Sequence, residues 1–302
     1  MVKEDTAAKN TALPQILIGT SGYDYPEWKG VFYPPELKRA DFLPYYSTQF
    51  NAVELNSTFY NMPTADRLLS FYDRSQGKLN FSIKANRLLT HEIAPFWEAH
   101  AADFKLALKS LHQKDALSAV LFQFPQSFHY TPQNRIYLSK LIAAFEGFPV
   151  VIEFRHKEWI RPSVFEGLIQ RNASVAFCDM PELPSLPSSS FHSDLYSTLV
   201  GPSLYIRLHG RNAQAWYASS PSLAEPAHAP ATPQNNASAR YTYNYSPSEL
   251  QKFVPIIQST AASNRKVQVY FNNHPQGNGA LNALEIMKMI ERLFSKHVEV
   301  KM

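Results

Sequence analysis

Eight short apolar runs recur along the chain, and most of them close on polar residues. They are Ile16 to Gly19, Ala52 to Asn56, Asn80 to Lys84, Ala119 to Phe124, Val150 to Arg155, Ser174 to Asp179, Leu204 to His209 and Val267 to Asn272. Continuous hydrophobicity of this length marks strands buried on both faces. Between most of the runs the period becomes helical. Ala65, Leu68, Leu69 and Tyr72 fall at i, i+3, i+4 and i+7 behind Thr64, a good N-cap residue. The spacing returns in Phe104, Ala107, Leu108 and Leu111, and again in Leu138, Leu141, Ile142 and Phe145. Leu250, Phe253, Val254 and Ile257 follow Ser246-Pro247, a cap with proline in the first turn. Ala283, Ile286, Met287 and Ile290 predict a final helix. One link differs: Pro181-Glu182-Leu183-Pro184-Ser185-Leu186-Pro187 cannot be a regular helix, so the sixth helix is expected to be rudimentary.

Strand and helix alternating eight times predict a parallel sheet, and eight units predict closure. The expected fold is a single α/β domain over residues 15–302, a TIM-type (β/α)8 barrel. An open doubly wound sheet is the alternative. No Gly-x-Gly-x-x-Gly or Walker loop follows a strand, which disfavours the common nucleotide-binding folds. Met1 to Pro14 is polar and reads as a flexible N-terminus without an export signal. Ser219 to Ala239, rich in Ala, Pro, Ser and Asn, reads as a low-complexity insertion after the seventh strand, expected to be mobile or disordered.

Composition narrows the picture little further. The 302 residues are 45% hydrophobic and 13% aromatic, enough for a large ordered core. A net charge of +4 is too diffuse to imply nucleic acid by itself. The single cysteine, Cys178, excludes an intrachain disulfide and fits a reducing, cytoplasmic compartment. No apolar run approaches the ~20 residues that span a bilayer, so no membrane partner is expected. Nothing in the sequence fixes the oligomeric state.

Candidate chemistry gathers at the strand ends, where barrels of this type build their sites. Glu153 and Arg155 are two residues apart, as are Glu54 and Asn56, and Arg207 and His209; each pair shares one face of its strand. Leu55, Phe154 and Leu208 then face the helices. This common parity predicts an inward polar ring, completed by Thr20, Ser21, Lys84, Gln123, Asp179, Asn272 and Asn273. Glu153, His209, Glu54 and Asp179 are the candidate acids and bases, with His209 favoured because an unperturbed imidazole titrates near neutrality. Lys84, Arg155, Arg207 and Arg211 offer cationic groups for phosphate or carboxylate. The bland reading is that they only neutralise the carboxylates. Asn56, Gln123, Asn272, Tyr60 and Trp159 are further candidate contacts, and Tyr23, Trp28, Trp216 and Tyr217 stand in adjoining loops, although Trp28 and Phe32 are expected merely to pack. Cys178 precedes Asp179 and is expected to point the other way, as a buried core thiol. His91 reads equally as a loop ligand or a structural residue. A divalent metal on Glu54, Glu153, Asp179 and His209 is conceivable, but no spacing supports it and Lys84 and Arg155 would repel the ion, so no metal or other cofactor is expected. Paired carboxylates for glycoside hydrolysis, Glu54 and Glu153, stay open because their separation is not legible.

Several motifs carry a family resemblance. They are Gly19-Thr20-Ser21-Gly22-Tyr23 with Trp28-Lys29-Gly30-Val31-Phe32-Tyr33-Pro34, then Val53-Glu54-Leu55-Asn56-Ser57-Thr58-Phe59-Tyr60. Glu153-Phe154-Arg155-His156 with Trp159, Arg207-Leu208-His209-Gly210-Arg211 and Tyr270-Phe271-Asn272-Asn273 follow in order. The chain resembles the DUF72 (YecE-like) family over nearly its whole length. Tyr23 stands where that family more often has Trp, and the Ser219 to Ala239 insertion is longer than usual. The resemblance implies a TIM-type barrel and no particular reaction. The residues point to an enzyme acting on an anionic small substrate, such as one bearing phosphate, by acid–base chemistry at the C-terminal mouth of the barrel. The alternatives are a binder of nucleic acid or nucleotide, and a metal-dependent hydrolase or isomerase.

Overall fold

The computed structural model describes residues 15–188, 201–217 and 238–299, with side chains to 292. Met1 to Pro14 and most of the Ser219 to Ala239 insertion lie outside the described residues, as does the second part of the link after the sixth strand. Eight parallel strands form one sheet in the order β1-β8-β7-β6-β5-β4-β3-β2. They are β1 (Ile16–Thr20), β2 (Ala52–Leu55), β3 (Asn80–Lys84), β4 (Leu117–Phe124), β5 (Val150–Phe154), β6 (Ser174–Asp179), β7 (Ser203–Leu208) and β8 (Lys266–Phe271). Helices between them cover the outer face: α1 (Phe42–Gln49), α2 (Ala65–Arg74), α3 (Trp97–His112), α4 (Pro132–Ala144), α5 (Pro162–Ile169), α6 (Val254–Ala262) and α7 (Asn278–Glu299). This is the TIM-type barrel that the alternation predicted.

Local chemistry explains the boundaries. Thr64 caps α2 and Thr131 caps α4, each accepting the N–H three residues on. Ser246 and Glu249 form a reciprocal capping box. The single helix expected from Leu250 to Ile257 is split, however, into Pro247–Gln251 and α6. Pro255 is the reason, since it has no N–H to return to Gln251. After β6, Met180 to Ser188 contains no regular helix, as its prolines require.

The barrel is nearly closed, and side chains stitch the remaining seam. Between β1 and β2 the only backbone pairing among the described residues joins Ser21 to Glu54, with Gly22 N–H donating to Glu54 O. Below it, the Asn51 amide takes the place of a peptide: Ile18 N–H donates to its oxygen at 2.9 Å, and its nitrogen donates to Ile16 O at 2.8 Å. The Tyr46 hydroxyl does the same one step higher, accepting from Thr20 N–H at 2.8 Å and donating to Ala52 O at 3.0 Å. Gly19 is needed there because an added Cβ would lie 1.9 Å from Ala52 O. Tyr46→Phe would leave a buried donor and a buried acceptor unpaired. The expected cost is about 1–3 kcal/mol, seen as a lower urea midpoint with an unchanged slope.

Inside the barrel an apolar layer of Leu17, Ala52, Ala119, Leu121, Val151, Tyr205 and Tyr270 fills the lower half. That plug forces every inward residue above it toward the C-terminal mouth. Among the described residues, no helix is long and apolar enough to cross a membrane.

Candidate active site at the barrel mouth

Strand register decides which side chains meet. Glu54 is level with Ser82, Gln123 with Glu153, and Cys178 with Arg207. Arg207 is also level with Tyr270, so β8 turns the same face inward. The inward faces thus carry Glu54, Gln123, Glu153, Cys178 and Arg207 as a staggered ring, in which Arg207 reaches both Glu54 and Glu153. Lys84, Arg155, His209, Asn56 and Asn272 stand two residues further along their chains, at the mouth.

Arg207 is the hub. Its Nε donates to Glu54 Oε2 at 2.9 Å and its two terminal nitrogens reach Glu54 Oε1 and Glu153 Oε2, both at 2.6 Å. Tyr205 adds its hydroxyl to Glu54 Oε2 at 2.7 Å. Arg155 Nε donates to the other oxygen of Glu153. All three buried ions, Glu54, Glu153 and Arg207, are almost fully shielded from solvent, and only mutual pairing of this density makes that tolerable. Burial would raise the Glu153 carboxyl, but Arg155 and Arg207 beside it hold it well below the usual carboxylate range.

His209 completes the arc without becoming charged. Arg155 lies 3.0 Å from its Nε2, and a guanidinium can only donate, so Nε2 accepts. The proton is then on Nδ1, and Asn272, 2.9 Å away, satisfies it only with its amide oxygen turned to the ring. Burial, with Arg155 and Arg207 adding to it, pushes His209 well below the ordinary histidine value. The imidazole expected to carry protons near neutrality is thus a neutral prop for Arg155.

Lys84 has the opposite fate. It is half-buried at the mouth, 4.3 Å over the Phe59 ring, with no carboxylate partner among the described residues. Burial and then the Arg207 charge push its ammonium down to about 7. Two carboxylates already balance two guanidiniums, so Lys84 is the surplus charge. At the ends of β1 and β2, the buried Ser21 Oγ and Asn56 Oδ1 have no hydrogen-bond partner.

Four sequence-based expectations need correction. Asp179 faces outward, level with Leu208, and Cys178 faces inward. Asp179 belongs to a second network behind the sheet, held by Arg211 (2.6 and 2.9 Å) and the Tyr245 hydroxyl (2.7 Å). Arg211 is occupied there and by Glu249, so it is not free for a ligand at the mouth. Trp159 is 1% exposed, donates to Phe128 O and stacks on Phe154, on the helix side of β5. Gln123 does reach the ring, with its amide donating to Phe124 O, and Tyr60 stands exposed at the rim. Trp28 and Phe32 pack the loop, as expected.

The set Glu54, Glu153, Asp179 and His209 is not assembled, because Asp179 lies on the other face. Glu153, Cys178 and His209 do bring ligand atoms within 4.8 Å of one another. Arg155 nevertheless engages both Glu153 and His209, which leaves a cation no room. Burial, then the Glu153 charge, pushes the Cys178 thiol well up, so it is no nucleophile. Sequence reasoning missed the inward thiol; it named Lys84 as one of four cationic groups, but not as one that would lack a carboxylate partner. Counting charges against partners along the inward face would have singled out Lys84.

Comparison with known proteins returns one family. The family model described as "Protein of unknown function DUF72" matches residues 17–301. A curated relative, "UPF0759 protein YunF" of Bacillus subtilis, is 27% identical over 292 residues, covering 93% of this chain and 96% of its own. A DUF72 protein from Thermotoga maritima, solved by crystallography, superposes with a TM-score of 0.77 at 29% identity, covering 92% of this chain and 99% of its own. One from Enterococcus faecalis reaches 0.73 at 22% identity, covering 92% and 96%, a likeness of fold alone.

Proposed function

The chain belongs to the DUF72 family, whose description is that of a protein of unknown function, and we propose that it is an enzyme that moves a proton on a small carboxylate- or phosphate-bearing substrate at its barrel mouth. The observation that carries this reading is Lys84: a half-buried lysine without a carboxylate partner among the described residues, poised at about 7. An amine near neutrality is populated in both protonation states and is suited to general acid or base work. In this reading Lys84 carries the proton and Arg155 holds the anion with the guanidinium hydrogens left over from Glu153 and His209. His209 and Asn272 fix Arg155, while Glu54, Glu153 and Arg207 form the rigid floor. Ser21 and Asn56 offer unpaired polar atoms to the rest of the substrate. Proton abstraction next to the anchored acid group is the chemistry such a pair performs best.

A second reading draws on the aromatic rings above Arg155. Trp216 lies 5.8 Å from its guanidinium, and Tyr241, His274 and Tyr25 continue the wall. Such rings can stack bases of a nucleotide or a single strand.

The test is a thermal-shift screen of small carboxylates, phosphate esters and short oligonucleotides at pH 7, with Arg155→Met and Lys84→Met alongside. A saturable shift by one class of small acid, lost in both variants, is the expected result. Shifts confined to oligonucleotides and falling steeply with salt would transfer the site to the second reading. Variants that keep the wild-type response but unfold many degrees lower would reduce the ring to a structural role.

A further inference from the structure

Outside the ring, two loops at the same end of the barrel bring together a different donor set. His129 follows β4, and His156 and Glu158 follow β5. Glu158 Oε2 lies 3.3 Å from His129 Nδ1 and 3.6 Å from His156 Nδ1. The two imidazoles stand 4.5 Å apart, centre to centre. One ligand atom from each residue lies within 4.8 Å of the other two. Two ligands bound at about 2.0–2.2 Å to a tetrahedral ion are separated by about 3.3–3.6 Å. Both separations from Glu158 Oε2 fall in that range before any ion is added.

The site is held in place from behind. Tyr130 N–H donates to Glu158 Oε2 at 3.1 Å, which, ahead of other causes, keeps that carboxyl below its ordinary value. Trp159 Nε1 donates to Phe128 O at 2.6 Å, and the two rings stack 6° from parallel, so the residues next to His129 and Glu158 are clamped together. The Arg161 guanidinium is directed elsewhere: it donates to the Glu158 backbone carbonyl and lies over the Tyr130 ring. Among the described residues, no guanidinium or ammonium bridges the three side chains, in contrast to Glu153 and His209, which Arg155 joins. The outer side is open, with His129 53% and Glu158 42% exposed, which leaves a coordination position for water. His156 Nδ1 also accepts a long 3.3 Å contact from Glu158 N–H, which an ion would displace.

We propose that His129, His156 and Glu158 form a binding site for a divalent transition ion of the zinc class, with water as the fourth ligand. Two imidazoles and one carboxylate suit zinc, cobalt or nickel, and disfavour magnesium or calcium, which take oxygen ligands. Three ligands on surface loops make an exchangeable site. Arg155 is engaged by Glu153 and His209, and the proposal stands apart from the reading of Lys84.

The experiment is titration of untagged, chelator-treated protein with zinc by calorimetry and with cobalt by visible absorption. One equivalent should bind saturably, with the intense visible bands of four-coordinate cobalt. Magnesium should not compete. His129→Ala and Glu158→Gln should each weaken binding by about tenfold or more, while melting in chelator stays close to wild type because both side chains are largely exposed. Failure to saturate, or binding unchanged in the two variants, would overturn the assignment.

Discussion

Arg207→Met is expected to be the most damaging single substitution in this barrel. It removes three hydrogen bonds at once and strands Glu54 and Glu153, both wholly buried, against Arg155 and Tyr205 alone. Removing one partner of a buried ion pair costs about 3–5 kcal/mol, and here two carboxylates lose the same partner. At about 2–4 °C per kcal/mol for a domain approaching this size, melting should fall by roughly 6–20 °C, or the protein should fail to fold. Adding Glu54→Gln and Glu153→Gln to the variant should recover part of the loss, because the uncompensated charges are then gone. A single variant that melts with the wild type would mean that water reaches these carboxylates and that the floor of the site is not dry.

Lys84→Met is expected to behave in the opposite way, losing function and gaining stability. In the unfolded chain Lys84 keeps its proton up to its ordinary value of 10.5, and in the folded barrel it gives the proton up near 7. Between those values the unfolded chain binds more protons, so wild-type stability contains a contribution that rises with pH across that window. Below pH 7 the fold carries the full penalty of a charged, partly desolvated ammonium beside Arg207 and Arg155. Methionine removes it. The variant should be more stable at pH 6 by on the order of 1–3 kcal/mol, after a discount for solvent screening at this half-buried side chain, and the advantage should shrink as pH climbs toward 10.5. If Lys84 carries the proton, turnover of the substrate found by screening should drop by about 10²–10⁴. Stability gained where function is lost is the mark of a site kept under strain. Melting curves of both proteins at several pH values are enough to decide it: a Lys84→Met protein less stable than wild type at pH 6 would show that the lysine is structural.

Both outcomes depend on features that one-dimensional reading reached unequally. The eight apolar runs and the helical spacing between them determined the barrel, because strands buried on both faces and helices buried on one leave different periods. Spacing of two determined that Glu153 travels with Arg155 and Arg207 with His209, since alternation along a strand is a local property. Which alternate set of β6 faces inward was not local. A strand covered on both faces has no polar side to mark the outside, so only its register against β7 turned Cys178 in and Asp179 out. Charge state was decided by tertiary structure for the same kind of reason. His209 was the natural proton carrier on its unperturbed value, and Lys84 was one cation among several. Desolvation and the neighbouring guanidiniums reversed them, and those depend on distances between strands far apart in sequence. The closure of β1 on β2 through Tyr46 and Asn51, and the meeting of His129 with His156 and Glu158, belong to the same class: the residues are visible in the chain, but only packing sets them within bonding reach.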